Sequence, residues 1–240
     1  MRVGSDWSIE ERSGAAGELH RSWPAVASNP SRRAVAVCRV TGPAVVLGST
    51  QSPAVVDGAR AEAGGIDVVR RRSGGGAVLV VPDDPVWIDV WVPRDDRLWH
   101  DDVGRAFDWL GDAWTAALTS LGAPGTSAHR DGFAACTRWS SLVCFGGVGT
   151  GEVVAADGRK VVGISQRRTR DGAWFHSACI RHWDPTALLE VLDLSPADRE
   201  SARLDLADAV IGVVDLVDPA GGGVVEPPSV ATALIEALPG

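Results

Sequence analysis

Val68-Val69-Arg70-Arg71-Arg72-Ser73-Gly74-Gly75-Gly76-Ala77-Val78-Leu79-Val80-Val81 reads as a short β-branched strand, a basic glycine-rich turn and a second apolar strand. The glycines therefore sit where two strands meet and not in a flexible linker. Three residues without side chains let backbone N–H groups approach a ligand, and the arginines add fixed charge and forked donors suited to phosphate or carboxylate. Taken alone, the segment reads equally well as a tight hairpin with a solvated basic tip.

Outward from that stretch, the 240 residues suffice for one α/β domain with a full core. We expect residues 31–218 to form it, with 1–30 a partly disordered arm and 219–240 a short linker, Pro219-Ala220-Gly221-Gly222-Gly223, followed by a C-terminal helix. Hydrophobic content of 45% and charged content of 22% are ordinary for a globular chain. No apolar run approaches the ~18 residues of a membrane helix, and the first residues lack the apolar block of a secretory signal, so no membrane partner and a cytoplasmic location are expected. A net charge of -8 argues against nucleic-acid binding. Against that background, the basic residues of 70–72 and 159–170 form a local focus suited to one anionic metabolite. The four cysteines, Cys38, Cys136, Cys144 and Cys179, show no zinc-type spacing, so no metal is expected and each reads by default as a reduced, buried thiol.

Periodicity supplies the remaining elements. Strands are expected over Arg33 to Val40, Ala44 to Leu47, Val86 to Val92 and Ser140 to Phe145, the last before a glycine-rich turn at 146–151. Lys160 to Arg168 and Ala173 to Arg181 read as a hairpin around Asp171-Gly172. A short helix runs from Asp57 to Glu62. The clearest helix spans about Asp102 to Leu121, with Val103, Phe107, Leu110, Trp114, Ala117, Leu118 and Leu121 on one face and Gly122 as its stop. Asp184 and Ser195 cap helices opening at Pro185 and Pro196, and Pro228 opens the last.

A second segment, Asp157-Gly158-Arg159-Lys160-Val161-Val162-Gly163-Ile164-Ser165-Gln166-Arg167-Arg168, completes a pattern. Arg-Arg-x-Ser-Gly-Gly-Gly-Ala-Val and Gly-Arg-Lys-Val-x-Gly-x-x-Gln, in this order, resemble the two signature segments of the lipoate-protein ligase family, relatives of the biotin-protein ligases. The resemblance covers residues 33 to 194. It implies an α/β fold of the α+β type, a mixed, mostly antiparallel sheet with flanking helices, whose sheet and loops enclose an acyl chain. The reaction it implies attaches a lipoyl or octanoyl group to a lysine of a lipoyl-domain carrier protein, through an acyl-adenylate made from lipoate and ATP with magnesium. By the same resemblance Arg71, Ser73, Gly74, Gly75, Gly76 and Ala77 form the ligand loop, Lys160 is the catalytic lysine, and Gly163, Ser165 and Gln166 shape its strand. Gln51 lies near the ligand, and His176 falls where relatives carry a His-Gly pair, here His176-Ser177. Such a site must hide an aliphatic chain, hold a phosphate and stabilise charge on the acyl oxygen. The apolar strands, the Arg71–Gly76 loop and the Lys160 point charge would meet those needs in turn.

Two further readings stay open. Octanoyl transferases of the same family carry a cysteine-Phe pair about fifteen residues before the equivalent lysine, and Cys144-Phe145 occupies that place. Such an enzyme needs no ATP: the cysteine takes the acyl group from a thioester, such as that of an acyl carrier protein, and passes it to the target lysine. The aromatic-His-Asp, Gly-Asn and Gly-Arg-Asn-Asp elements of most relatives are absent here, which admits a non-catalytic acyl- or carrier-binding protein as a third reading. The spatial expectation common to the enzymatic readings is that Lys160 reaches over the glycine bend into one pocket backed by an apolar tunnel. Lys160→Ala is then expected to remove turnover and leave the fold intact.

Overall fold

β-Branched runs become strands and capped runs become helices along the chain. The structure, a computed structural model, describes residues 7–21, 30–218 and 225–240. In order, these are β1 (Trp7–Gly14), α1 (Ala16–Arg21), β2 (Arg33–Val40), β3 (Ala44–Leu47), α2 (Gly58–Ala63), β4 (Asp67–Arg70), β5 (Val78–Val80) and β6 (Val86–Pro93). There follow α3 (Asp108–Ser120), β7 (Ser127–Ala128), β8 (Ala134–Ala135), β9 (Gly147–Val148), β10 (Val153–Val154), β11 (Lys160–Arg168) and β12 (Gly172–Cys179). Helices α4 (Thr186–Val191), α5 (Pro196–Ala207), α6 (Val213–Val217) and α7 (Pro227–Ala237) close the sequence of elements.

The large sheet has the order β1-β2-β6-β12-β11-β10-β7; β1 and β2 run parallel, and the other neighbours pair antiparallel. This is the mixed, mostly antiparallel sheet with flanking helices that the resemblance implies. Alternation along β6 shows what covers each face. Val86, Ile88, Val90 and Val92 pack with Leu110, Trp114 and Leu118 of α3 and with Val230 and Leu234 of α7. Trp87 turns the other way, toward Ala44, Val46 and Val80 of a second sheet, β4-β3-β5, and toward Ala16 and Leu19 of α1. Both faces are covered, so all of β6 is buried. The space between the two sheets is where a ligand can enter.

Several expectations are corrected. β4 and β5 are not a hairpin: β3 lies between them, parallel to β4 and antiparallel to β5, so the glycine segment crosses the end of β3. Residues 140–145 do not form a strand. The Ser140 hydroxyl lies within hydrogen-bond distance of the carbonyls of Thr137 and Gly146, between which its one proton is shared, and the segment curls into a 3-10 turn over Cys144–Gly146. Within the expected partly disordered arm, residues 7–21 are an edge strand and a helix, anchored by Trp7, whose indole donates to the Pro239 carbonyl (2.9 Å) and packs tilted against Trp109. The rest of the expected arm, 1–6 and 22–29, and the linker 219–224 lie outside the described residues. Helix α3 starts at Asp108, because Asp102 caps the preceding turn through Gly104 and Arg105 and leaves Val103 exposed. Helix α7, the expected C-terminal helix, packs into the main core.

Candidate active site

Between the sheets lies a cleft lined by residues that include Val46, Arg71, Val78, Val80, Trp87, Cys144, Phe145, Gly163, Ser165, His176 and Ala178. Its walls are mostly apolar, the character of a small-molecule site.

The glycine segment forms one edge of this cleft, held by an internal brace. Arg71 is 6% exposed. Its Nε and Nη2 donate to the Gly74 carbonyl (3.1 and 2.7 Å), Nη2 also to that of Gly76 (2.9 Å), and Nη1 to that of Val46 (3.1 Å). Gly75 has φ of 101°, the left-handed region that favours glycine. A Cβ on Gly48 would stand 1.8 Å from the Gly75 carbonyl oxygen, and one on Gly76 would stand 2.6 Å from the Cys144 nitrogen. The backbone approach is that close because Ala77 pairs with the cysteine segment: Ala77 N–H donates to Leu142 (2.7 Å) and Cys144 N–H to Ala77 (3.0 Å). Gln51 fastens the same junction, accepting from Gly48 N–H (3.0 Å) and donating to the Leu142 carbonyl (3.0 Å). Ser73, 2% exposed, meets Ser165 across the cleft edge, hydroxyl to hydroxyl at 2.8 Å.

Lys160 is placed differently from the expectation. It is 1% exposed, with Nζ 2.6 Å from a Glu152 carboxylate oxygen and donating to the carbonyls of Cys144 (3.1 Å) and Gly147 (3.0 Å). The Phe145 ring centroid lies 4.7 Å from Nζ and the ring edge packs against Gly163, so the ammonium sits beneath the 144–152 loop. Glu152 in turn accepts from Gly149 and Ile164 N–H, which fixes the loop to β11. Lys160 thus holds the carbonyl of the cysteine residue and does not reach over the glycine bend.

Cys144 and His176 both reach the cleft. Arg71 Nη2 lies 4.0 Å from the Cys144 sulfur. His176 Nδ1 is 2.7 Å from Asp89, which is 2% exposed and also receives the Trp87 indole N–H at 2.5 Å. Gln166 alternates to the opposite face of β11 from Ser165 and accepts from Arg168, so it does not join the site. The sequence reading missed three polar residues: Asp89, Glu152 and His20. Asp89 carried a signal, being a charge inside the apolar run Val86–Val92; Glu152 and His20 carried none that spacing could reveal. Burial, reinforced by His176 and Arg71, lowers the His20 pKa to about 3. Burial holds the Cys38 and Cys179 thiols well above their ordinary range.

Residues 24–238 match the family model described as the lipoyl protein ligase A/B catalytic domain. The chain belongs to that family. It is an enzyme fold of the ligase and acyl-transferase type. Among solved structures, it is similar to a bipartite lipoate protein ligase of Thermoplasma acidophilum studied with its E2 lipoyl domain, at 21% identity, TM-score 0.67, over 96% of this chain and 82% of that one. A lipoate-protein ligase A bound with ATP is 23% identical, TM-score 0.64, over 95% and 83%. The T. acidophilum protein Ta0514 with bound lipoic acid is 23% identical, TM-score 0.64, over 91% and 74%. Compared by sequence with curated proteins, the chain matches none. Among the described residues, no helix is long and apolar enough to cross a membrane.

Proposed function

We propose that this protein transfers a lipoyl or octanoyl group to a lysine of a lipoyl-domain carrier, by way of a thioester on Cys144. The observation that carries the reading is the Cys144 sulfur in the wall of an apolar cleft, 4.0 Å from a buried guanidinium. The Cys144 thiolate attacks the carbonyl of an acyl-carrier thioester; the new S–C bond forms, the old one breaks and the donor leaves as a thiolate, which takes a proton from solvent. The neutral amine of the target lysine then attacks the Cys144 thioester, forms the amide and returns the thiol. Lys160 acts in this scheme through the Cys144 carbonyl it holds, as a positioning residue.

The adenylate route is the second reading, favoured by the likeness to a ligase bound with ATP and by Gly74 and Gly75, exposed at the cleft edge. ATP with magnesium would supply an activated acyl phosphate anhydride. Phosphate would then need the two cations singled out by the motif, yet Arg71 is engaged by three backbone carbonyls and Lys160 by Glu152. That occupancy supports the thioester route.

The test incubates wild type and Cys144→Ser with an apo lipoyl domain, once with an octanoyl thioester and no ATP, once with lipoate and ATP. Carrier modified from the thioester, and lost in Cys144→Ser, is expected. Carrier modified only with ATP, and undiminished in Cys144→Ser, would overturn the reading.

A further inference from the structure

The cleft is apolar along its stem and carries an unassigned polar cluster at its far end. Its floor crosses three strands through the ladder pairs Ser165–His176, His176–Asp89 and Ala178–Trp87. Cys144 stands on the β11 side, where its neighbour Phe145 packs on Gly163. Trp87 and Asp89 on β6 lie two strands away, about 10 Å at the usual interstrand spacing. An acyl group held at Cys144 and laid along the floor therefore brings its distal end to β6.

There Asp89 accepts from Trp87 Nε1 and His176 Nδ1 through one carboxylate oxygen. A carboxylate can only accept, so it fixes the His176 hydrogen on Nδ1 and leaves the Nε2 lone pair, which has no partner among the described residues. The His20 ring closes the end, 4.3 Å from Trp87 and 5.4 Å from His176, and its buried Nδ1 also lacks a partner among the described residues. Val46, Val78 and Val80 show how this chain lines the part of the cleft that needs only to be oily. One polar point in apolar walls orients and selects a ligand, and the carboxylate-oriented imidazole offers an acceptor that an alkyl chain leaves unpaired.

We propose that the cleft selects acyl groups whose distal end bears a hydrogen-bond donor, a hydroxyl or an amide N–H, with His176 Nε2 as the acceptor and Asp89 as the residue that positions it. The proposal rests on the acyl-transfer reading above and narrows its substrate, placing an acyl group with a distal donor ahead of the unsubstituted octanoyl group. A hydrocarbon stem packs against the valines, and the donor reaches the imidazole.

Calorimetric titration of the full chain with octanoate and with 8-hydroxyoctanoate tests it. Wild type is expected to bind the hydroxy acid at least about tenfold more tightly, since a site built to pair a hydroxyl rejects the analogue lacking it. His176→Leu, checked for cooperative unfolding, is expected to reverse that order, and Asp89→Asn to narrow it. The wild-type comparison decides by itself should either variant fail to fold. Octanoate bound as tightly as the hydroxy acid overturns the proposal and leaves the acyl-transfer reading standing. No binding of either acid, together with no acyl transfer, removes both.

Discussion

Lys160 shows how a single residue changes meaning between sequence and structure. Its motif position marks it for chemistry, but its ammonium is buried against Glu152. Removing one partner of a buried ion pair leaves the other charge uncompensated, typically at a cost of about 3–5 kcal/mol. Lys160→Ala should therefore lose stability as well as turnover, seen as a lower urea midpoint, and Lys160→Met combined with Glu152→Gln should recover part of it. A Lys160→Ala protein as stable as wild type would show that the pair does not hold the loop. His20 gives a second prediction, with its sign fixed by linkage. The unfolded chain protonates His20 near 6.5, whereas the folded chain resists until about 3. Between those values the unfolded state binds more protons, so this contribution is intact above pH 6.5 and is lost as pH falls, by about 1.4 kcal/mol per pH unit. His20→Gln should flatten the stability profile between pH 6 and 4; an unchanged slope would contradict the burial assigned to the ring.

Elements were legible where periodicity and caps speak locally, and illegible where a partner from elsewhere decides. The β11–β12 hairpin and the start of α5 follow from an Asp-Gly turn and from Ser195 before Pro196. The insertion of β3 between β4 and β5 depends on pairing that no local pattern records. The curl at 140–146 brings one serine hydroxyl within reach of two carbonyls, a contact that no local pattern records. Within the site, the glycine loop was legible because close backbone approach demands glycine. Asp89 and Glu152 went unread because their partners, His176 and Lys160, lie on other strands. A test at this scale concerns α3. Gly111 is the point of contact with neighbouring backbone, since a Cβ there would stand 2.5 Å from the Gly151 carbonyl oxygen and 2.8 Å from the Ala128 Cβ. Alanine favours a helix over glycine by about 1 kcal/mol. The clash with fixed backbone outweighs it, so Gly111→Ala should lower Tm; a raised Tm would mean that the helix can move away freely.

For the whole molecule, the account is of two sheets enclosing an apolar cleft, with one thiol reachable from it. Cys38 and Cys179 are buried with thiols held protonated, whereas Cys136 is exposed and Cys144 lies at the cleft. An alkylating agent applied to the native protein should label Cys136 and Cys144 and spare the other two, and a bound acyl compound should protect Cys144 alone. Labelling of Cys38 or Cys179 without unfolding would contradict the packing described. The most direct measurement is the intact mass of the protein after exposure to an octanoyl thioester in the absence of ATP. The account predicts a gain of one octanoyl group, mapped to Cys144 and missing in Cys144→Ser. An unchanged mass in wild type, with the carrier domain modified only when lipoate and ATP are supplied, would contradict it.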